Sequence, residues 1–284
     1  MGKKIALVTD STCDISDELL NQYDINILPL KVIYKDKEYS DRVDITAQEI
    51  YNNLPVEVPT TSMPALSDII NLFNKLKNEG FTHIISIHIS SGLSGTYDII
   101  KSAAEEFKDI IIEVVDSKSL SMGLGFPVLE TAKAIKNSLS FESVIEKAKE
   151  AISNTETFFV VATLDYLRKG GRIGHVSGIV GEFLNVKPII SIGDDGKYFT
   201  FTKVRGRNQS LSRILDIVKE KINCIGKKID VAVLHGGAEI EAKDLLDKIK
   251  KLPYINDTFF GQISPVMGVH TGPGLVGVIV YNAV

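Results

Sequence analysis

A chain of 284 residues has room for one large domain or two of ordinary size, and its 44% hydrophobic and 24% charged residues place it among compact folded proteins. That composition excludes disordered, collagen-like and disulfide-scaffold chains, and the two cysteines, Cys13 and Cys224, are too few for a disulfide framework or a cysteine-built zinc site. Lys and Arg number 32 against 36 Asp and Glu, a net charge of -4, which leaves no basic excess to neutralise a nucleic-acid backbone.

Met1-Gly2-Lys3-Lys4 is followed by only four apolar residues before Thr9 and Asp10, too short a run for a signal-peptide core. No stretch reaches the ~18 consecutive apolar residues of a membrane span, so a soluble, cytoplasmic protein without membrane insertion is expected. Residues 5–8 read as a first strand, leading through Asp10 to Asp14 into a helix capped by Ser16, with Asp17 and Glu18 well placed against its dipole. Residues 25–34 read as one long strand turned back at 35–37. Thr46 with Glu49 makes a capping box for a short helix ending before Pro55. The hydroxyls of Thr60, Thr61 and Ser62 precede a helix with Leu66, Ile69, Ile70, Phe73 and Leu76 on one face, stopped at Gly80.

A strand over 82–89 runs into Ser90-Ser91-Gly92-Leu93-Ser94-Gly95-Thr96, followed by a helix over 97–107 and a strand over 110–115. Two helices come next, interrupted near Pro127 and Ser140, and a boundary falls after the polar stretch 153–157, where a strand over 158–162 begins. Segments 187–192 and 197–204 flank Gly193-Asp194-Asp195-Gly196, a hairpin turn. A helix over 208–222, a strand over 229–234, a helix over 239–251 and strands around Phe259 and over 276–281 complete the chain. The expected fold class is α/β in two domains: an N-terminal α/β domain with a mainly parallel sheet, residues 1–157, and a C-terminal α+β domain, residues 158–284. No internal repeat and no low-complexity tract is visible, which excludes solenoids and propellers.

The histidines His83, His88, His175, His235 and His270 form no HExxH pair, and there is no GxxxxGK[ST] loop and no GxGxxG after the first strand. Neither a metal centre nor an ATP or NAD site is expected. What remains is a series of hydroxyl and glycine loops at helix starts, over residues 10–12, 60–62, 90–96 and 116–119. Free amides at helix N-termini with hydroxyls beside them bind anions, although any one such loop is equally an ordinary cap. Their accumulation points to one anionic ligand.

Near the C-terminus His270 stands among Gly268, Gly272 and Gly274, which admit close backbone approach; its imidazole can donate to an anion or move a proton, or simply pack in a turn. Arg168, Lys169 and Arg172 put three cations on an expected exposed loop, as a solvated surface or a docking patch for an acidic partner, and Arg205 with Arg207 is a second basic pair. A serine hydrolase is one alternative, with Ser94 as nucleophile, His270 as base and Asp116 or Asp165 as the acid, but Gly92-Leu93-Ser94-Gly95 is not the Gly-x-Ser-x-Gly elbow. A sugar or small-phosphate site is another. The aliphatic segments 176–183 and 186–192 favour a ligand with a tail, and a plain core explains them nearly as well.

The motifs Val8-Thr9-Asp10-Ser11, Thr61-Ser62-Met63-Pro64, Ser91-Gly92-Leu93-Ser94-Gly95-Thr96, Val115-Asp116-Ser117, Arg168-Lys169-Gly170-Gly171-Arg172-Ile173, Lys187-Pro188, Arg205 and His270 with Gly272-Pro273-Gly274 follow one another along nearly the whole chain. As an ordered set they resemble the DegV family of bacterial fatty-acid-binding proteins. The resemblance implies one bound long-chain fatty acid and no cofactor or metal, with the carboxylate at the domain junction and the tail in a tunnel of the second domain. On the matching motifs it implies a carboxylate site of Thr61, Ser62, Ser94, Gly95, Thr96 and His270, with Arg205 contributing through a hydrogen-bond network. It further implies a substrate-presenting protein of phospholipid metabolism rather than an enzyme in its own right. A separate ATP-binding fatty acid kinase subunit would convert the bound acid to an acyl phosphate, with Arg168, Lys169 and Arg172 as its docking patch. The chain departs from the family's usual Thr-Ser-Gln-Pro-Ser at Met63 and Ala65, and has Asp98 where Gln is frequent, which leaves the head-group residues intact.

Overall fold

Alternation of apolar side chains builds the first strand, β1 (Ile5–Asp10), which turns Ala6 and Val8 to one face and Leu7 to the other. The computed structural model describes residues 4–179 and 186–283. After a 3-10 turn (Ser11–Cys13), α1 (Asp17–Gln22) starts at Ser16, whose Oγ accepts from the Leu19 amide. The single strand expected over 25–34 is in fact two strands in different sheets, β2 (Ile25–Leu28) beside β1 and β3 (Lys31–Ile33) paired with β4 (Glu38–Ser40). Pro29 has no amide to donate, so the ladder stops there and the chain changes sheets.

The chain continues through α2 (Ala47–Asn53), whose capping box from Thr46 and Glu49 is present, and β5 (Thr60–Ser62). Then come α3 (Leu66–Asn78), β6 (His83–His88), α4 (Thr96–Ala104), β7 (Ile111–Asp116), α5 (Met122–Lys136) and α6 (Phe141–Ser153). On α3, Ile69, Phe73 and Leu76 are buried, but Leu66 and Ile70, expected on the same face, are 49% and 38% exposed. The expected break at Pro127 does not occur. Proline there removes one bond in the second turn, and α5 is buried on nearly all sides from Met122 to Leu129, so packing holds the helix through it.

The remaining elements are β8 (Thr155–Val160), α7 (Asp165–Lys169), β9 (Val186–Ile192), β10 (Tyr198–Arg205), α8 (Arg207–Ile225), β11 (Ile229–Gly236), α9 (Glu239–Ile249), β12 (Ile255–Gln262), α10 (Pro265–Thr271) and β13 (Leu275–Tyr281). Two are corrections: the basic stretch read as a loop contains α7, and the glycine-flanked His270 segment contains α10. Part of the aliphatic segment 176–183 lies outside the described residues.

The fold is α/β. One sheet, in the order β2-β1-β6-β7, is parallel throughout; a second, β10-β9-β8-β13-β11-β12, is antiparallel except at β11 and β12; a third, β4-β3-β5, is small and antiparallel. Helices α3 and α4 cover one face of the parallel sheet through Phe73 and Ile100, and α8 and α9 cover one face of the six-stranded sheet through Ile214, Val218 and Leu245. Between the two sheets lie α5 and α6, where Leu124, Phe126 and Val144 join Leu7 and Ile85 of the first to Phe159 and Ile279 of the second in one continuous core. β8 begins at Thr155, ahead of the second unit expected from 158.

Candidate functional site

Three segments far apart in the chain meet above the small sheet. The middle residue of β5, Thr61, is half-buried, while its neighbours Thr60 and Ser62 point outward, as strand alternation requires. Ser94 sits in the turn between β6 and α4, its Oγ 2.8 Å from Thr96 Oγ1 and accepting from the Thr96 amide at 3.3 Å. His270 occupies the last turn of α10, with Nε2 2.7 Å from Thr61 Oγ1. The imidazole Nδ1 is buried without a hydrogen-bond partner among the described residues, and the main chain at Gly170 comes so close that a Cβ there would lie 2.1 Å from it.

Burial, and next to it the Arg172 guanidinium, pull the His270 imidazole down to about 4, so it is neutral at neutral pH. Arg172 donates from Nη1 to the Gly170 carbonyl at 2.8 Å and from Nε to the Leu93 carbonyl at 3.3 Å. It thereby joins the histidine's support to the turn that carries Ser94. A cavity of about 40 Å³ is lined by Thr61, Ser94, Arg172 and His270 on its polar side. Hydroxyls, an imidazole and a cation so arranged suit a carboxylate or another small anion.

The turn carrying Ser94 is clamped from outside. Ser90 Oγ donates to the Gly196 carbonyl at 2.8 Å and Ser91 Oγ to Asp116 Oδ2 at 2.5 Å. At Gly92 the tip of the β9–β10 hairpin is so near that a Cβ would stand 2.6 Å from the Asp195 carbonyl oxygen. Met63, one of the departures from the family pattern, lies against Gly95, where a Cβ would be 2.7 Å from its sulfur.

A second, apolar cavity of about 30 Å³ adjoins the first: Leu120, Tyr198, Met267 and Thr271 border both. Its other walls are Phe159, Leu234, Ile263 and Leu275. The aliphatic segment 186–192 does not border this slot; the strands that do are β8, β10, β11 and β13.

Of the residues singled out from sequence, Thr61, Ser94 and His270 converge, with Thr96 buried behind Ser94. Ser62 and Gly95 are exposed, and Arg205, exposed at the end of β10, does not border this cavity. Arg168 and Lys169 are exposed on α7, Arg168 3.9 Å from Asp165, whereas Arg172, grouped with them from sequence, turns inward. Tyr198 was missed, since a tyrosine in a strand carries no signal of a cavity beside it.

The residues proposed for a hydrolase relay do not meet as one. His270 contacts Thr61 rather than Ser94, Asp116 receives Ser91, and Asp165 faces Arg168. A different chain of the same residue types exists instead: Ser86 Oγ lies 2.6 Å from His88 Nε2, and His88 Nδ1 3.1 Å from Asp10 Oδ2. All three are fully buried, out of reach of a substrate. Asp10 also accepts from the Thr12 and Ile89 amides, tying the end of β1 to the end of β6, where the Ser94 turn begins. The signal was present in Ser86-x-His88, two polar residues facing one side of an apolar strand.

Comparison with known proteins places the chain in a family. The DegV family model, described as an uncharacterised protein family, matches residues 4–283. A DegV domain-containing protein of Clostridium acetobutylicum is 48% identical over 278 residues, 98% of either chain. A DegV family protein from Thermus thermophilus, described by its fatty acid binding, superposes with a TM-score of 0.92 at 30% identity, over 99% of this chain and 100% of that one. A stearic acid-binding protein from Eubacterium ventriosum does so with a TM-score of 0.86 at 29% identity, over 99% of this chain and 98% of the other. With its motifs, its fold and its relatives in agreement from end to end, this chain belongs to the DegV family.

Proposed function

We propose that the chain binds one long-chain fatty acid, its carboxylate held by Thr61, Ser94, His270 and Arg172 and its tail in the apolar slot, and presents it to a separate ATP-dependent fatty acid kinase subunit. The observation that carries this reading is that the polar cavity and the apolar one adjoin, with Leu120, Tyr198 and Met267 as common walls. An anion site alone would serve a phosphate, and an apolar slot alone would be a packing defect; joined, they match an amphiphile. Burying methylenes is worth about 0.8 kcal/mol each, so a tail of about fifteen contributes roughly 10 kcal/mol before ordering costs and the cost of widening the slot, whose volume of about 30 Å³ must grow to admit it. Met267, unbranched and bordering both cavities, is the wall best able to adapt to the chain.

Hydroxyls and a neutral imidazole accept the carboxylate through single hydrogen bonds, and Arg172, engaged with two main-chain carbonyls, supplies charge without a closed fork. An oxygen so held stays available for transfer of a phosphoryl group by a partner that brings its own ATP. Arg168 and Lys169 stand on α7, directly before the Gly170 main chain that packs on His270, which makes them the natural contact for that partner. Arg172 belongs to the head group rather than to this patch.

We also propose a division into two domains, residues 1–157 and 158–284, each built on one large sheet except that the first three residues of β8 fall before the boundary, and a cytoplasmic setting, where a kinase would find its ATP. No helix among the described residues is long and apolar enough to cross a membrane. The reading is tested by mass spectrometry of an organic extract of natively purified protein. About one equivalent of a long-chain fatty acid is expected; no lipid, together with no uptake of added acids, overturns it.

A further inference from the structure

Beyond the apolar slot the lining turns polar again. Leu234 and Ile263 border the slot and also a cleft of about 370 Å³ between the start of α1, the segment before α2 and the end of β12. A hydrogen bond spans the same partition: Ser121, on the slot side, donates at 2.6 Å to Asp14 Oδ2, on the cleft side. The other Asp14 oxygen accepts from the Ser264 amide at 2.9 Å.

Ser264 lines the cleft, is only 2% exposed, and its hydroxyl has no hydrogen-bond partner among the described residues. It precedes α10 in the N-cap position yet does not cap it; the Val266 amide is taken by Asp41 Oδ1 at 2.8 Å instead. Arg42 borders the same cleft. Its Nη2 donates to the Ile15 carbonyl and to Asp17 Oδ1, both at 2.8 Å, while its Nη1 is buried and has no partner among the described residues. A buried polar atom left without a partner is unfavourable, so both groups favour a ligand that brings one.

We propose that this cleft is the far-end subsite of the acyl tunnel and takes an oxygen on the tail, so that the protein accepts long-chain acids hydroxylated at or near the ω carbon. The inference rests on the fatty-acid reading and narrows its ligand class. A neutral hydroxyl fits where a second carboxylate does not: the charge of Arg42 is already met by Asp17, and burial at this wall of the cleft penalises a further charge. Burial raises the Asp14 carboxyl to about 8, the response of a site that disfavours additional negative charge. An ordinary hydrocarbon tunnel would reject such a chain, because a hydroxyl buried without a partner loses on the order of tenfold in affinity.

The test compares dissociation constants of saturated acids from dodecanoic to octadecanoic with those of their ω-hydroxy counterparts, for the wild type and Ser264→Ala. At one chain length the hydroxylated acid is expected to bind the wild type at least as tightly as its parent. Ser264→Ala should weaken that acid on the order of tenfold and leave the parent acid within about twofold. Retained parent binding also shows that the variant is folded. A hydroxylated acid weaker than its parent at every length, or an equal response of both acids to Ser264→Ala, overturns the subsite while leaving the fatty-acid reading intact. Failure of every parent acid to bind overturns that reading, and the subsite with it.

Discussion

The 2.7 Å contact between Thr61 and His270 joins residues 209 positions apart. Each was legible alone, Thr61 from its hydroxyl-rich segment and His270 from its glycines, but no local pattern says that they touch. Arg172 shows the opposite failure. Its neighbours made it look like surface, yet the turn at Gly170 and Gly171, the latter at φ +71°, brings it back against the Leu93 carbonyl. Because the folded imidazole of His270 sits near 4 and an unfolded one near 6.5, the native state binds fewer protons between those values. Its contribution to stability is therefore full above about 6.5 and is lost as pH falls toward 4. Denaturant unfolding over that window should show a pH slope that His270→Gln removes, and an imidazole resonance titrating near 6.5 would contradict it. His270→Ala and Thr61→Val each remove one partner of the carboxylate and should weaken fatty-acid binding about tenfold, read by calorimetry. Unchanged affinity in both would take these residues out of the head-group site.

At the level of single elements, the sequence succeeded where caps and periodicity act locally, as in α1, in the capping box of α2 and at the β9–β10 hairpin. It failed where a neighbour overrides local preference. Segment 25–34 is apolar enough for one strand, and Pro29 divides it; Pro127 is a helix breaker, and burial of α5 between two sheets overrules it. Missing α10 mattered most, since a histidine in a helix is aimed by the helix rather than by a flexible loop. The Gly170 main chain fixes that aim from the other side. Gly170→Ala should push the imidazole off Thr61 and weaken fatty-acid binding about tenfold, with some loss of melting temperature because the added methyl overpacks against the buried ring. Wild-type affinity in this variant would show that the position of His270 does not limit binding.

Across the whole molecule, the layer of α5 and α6 makes one core of both halves, so the two sheets that wall the cavities are held in register by packing rather than by a linker. A ligand that lodges in this shared interior binds only the folded form, and at a hundredfold excess over its dissociation constant it stabilises by about 2.7 kcal/mol. The docking face acts at the same scale. Arg168→Glu with Lys169→Glu changes two exposed cations on α7 and should lower acyl-phosphate formation by a reconstituted kinase several-fold, with lipid content unchanged. Normal phosphorylation by that double variant would make the patch an ordinary solvated surface.

The sequence by itself determined most of the strands and the longer helices, the α/β class, the family and the residue kinds of an anion site, because these rest on periodicity, capping and ordered motifs that neighbours in the chain carry between them. Tertiary structure alone decided that Thr61, Ser94, Arg172 and His270 share one cavity, that Ser62 and Arg205 stand outside it, and that an apolar slot adjoins it. Those are matters of which faces meet across two sheets and an intervening helix layer. Contacts at that separation depend on how whole elements pack, and no window of neighbouring residues encodes them.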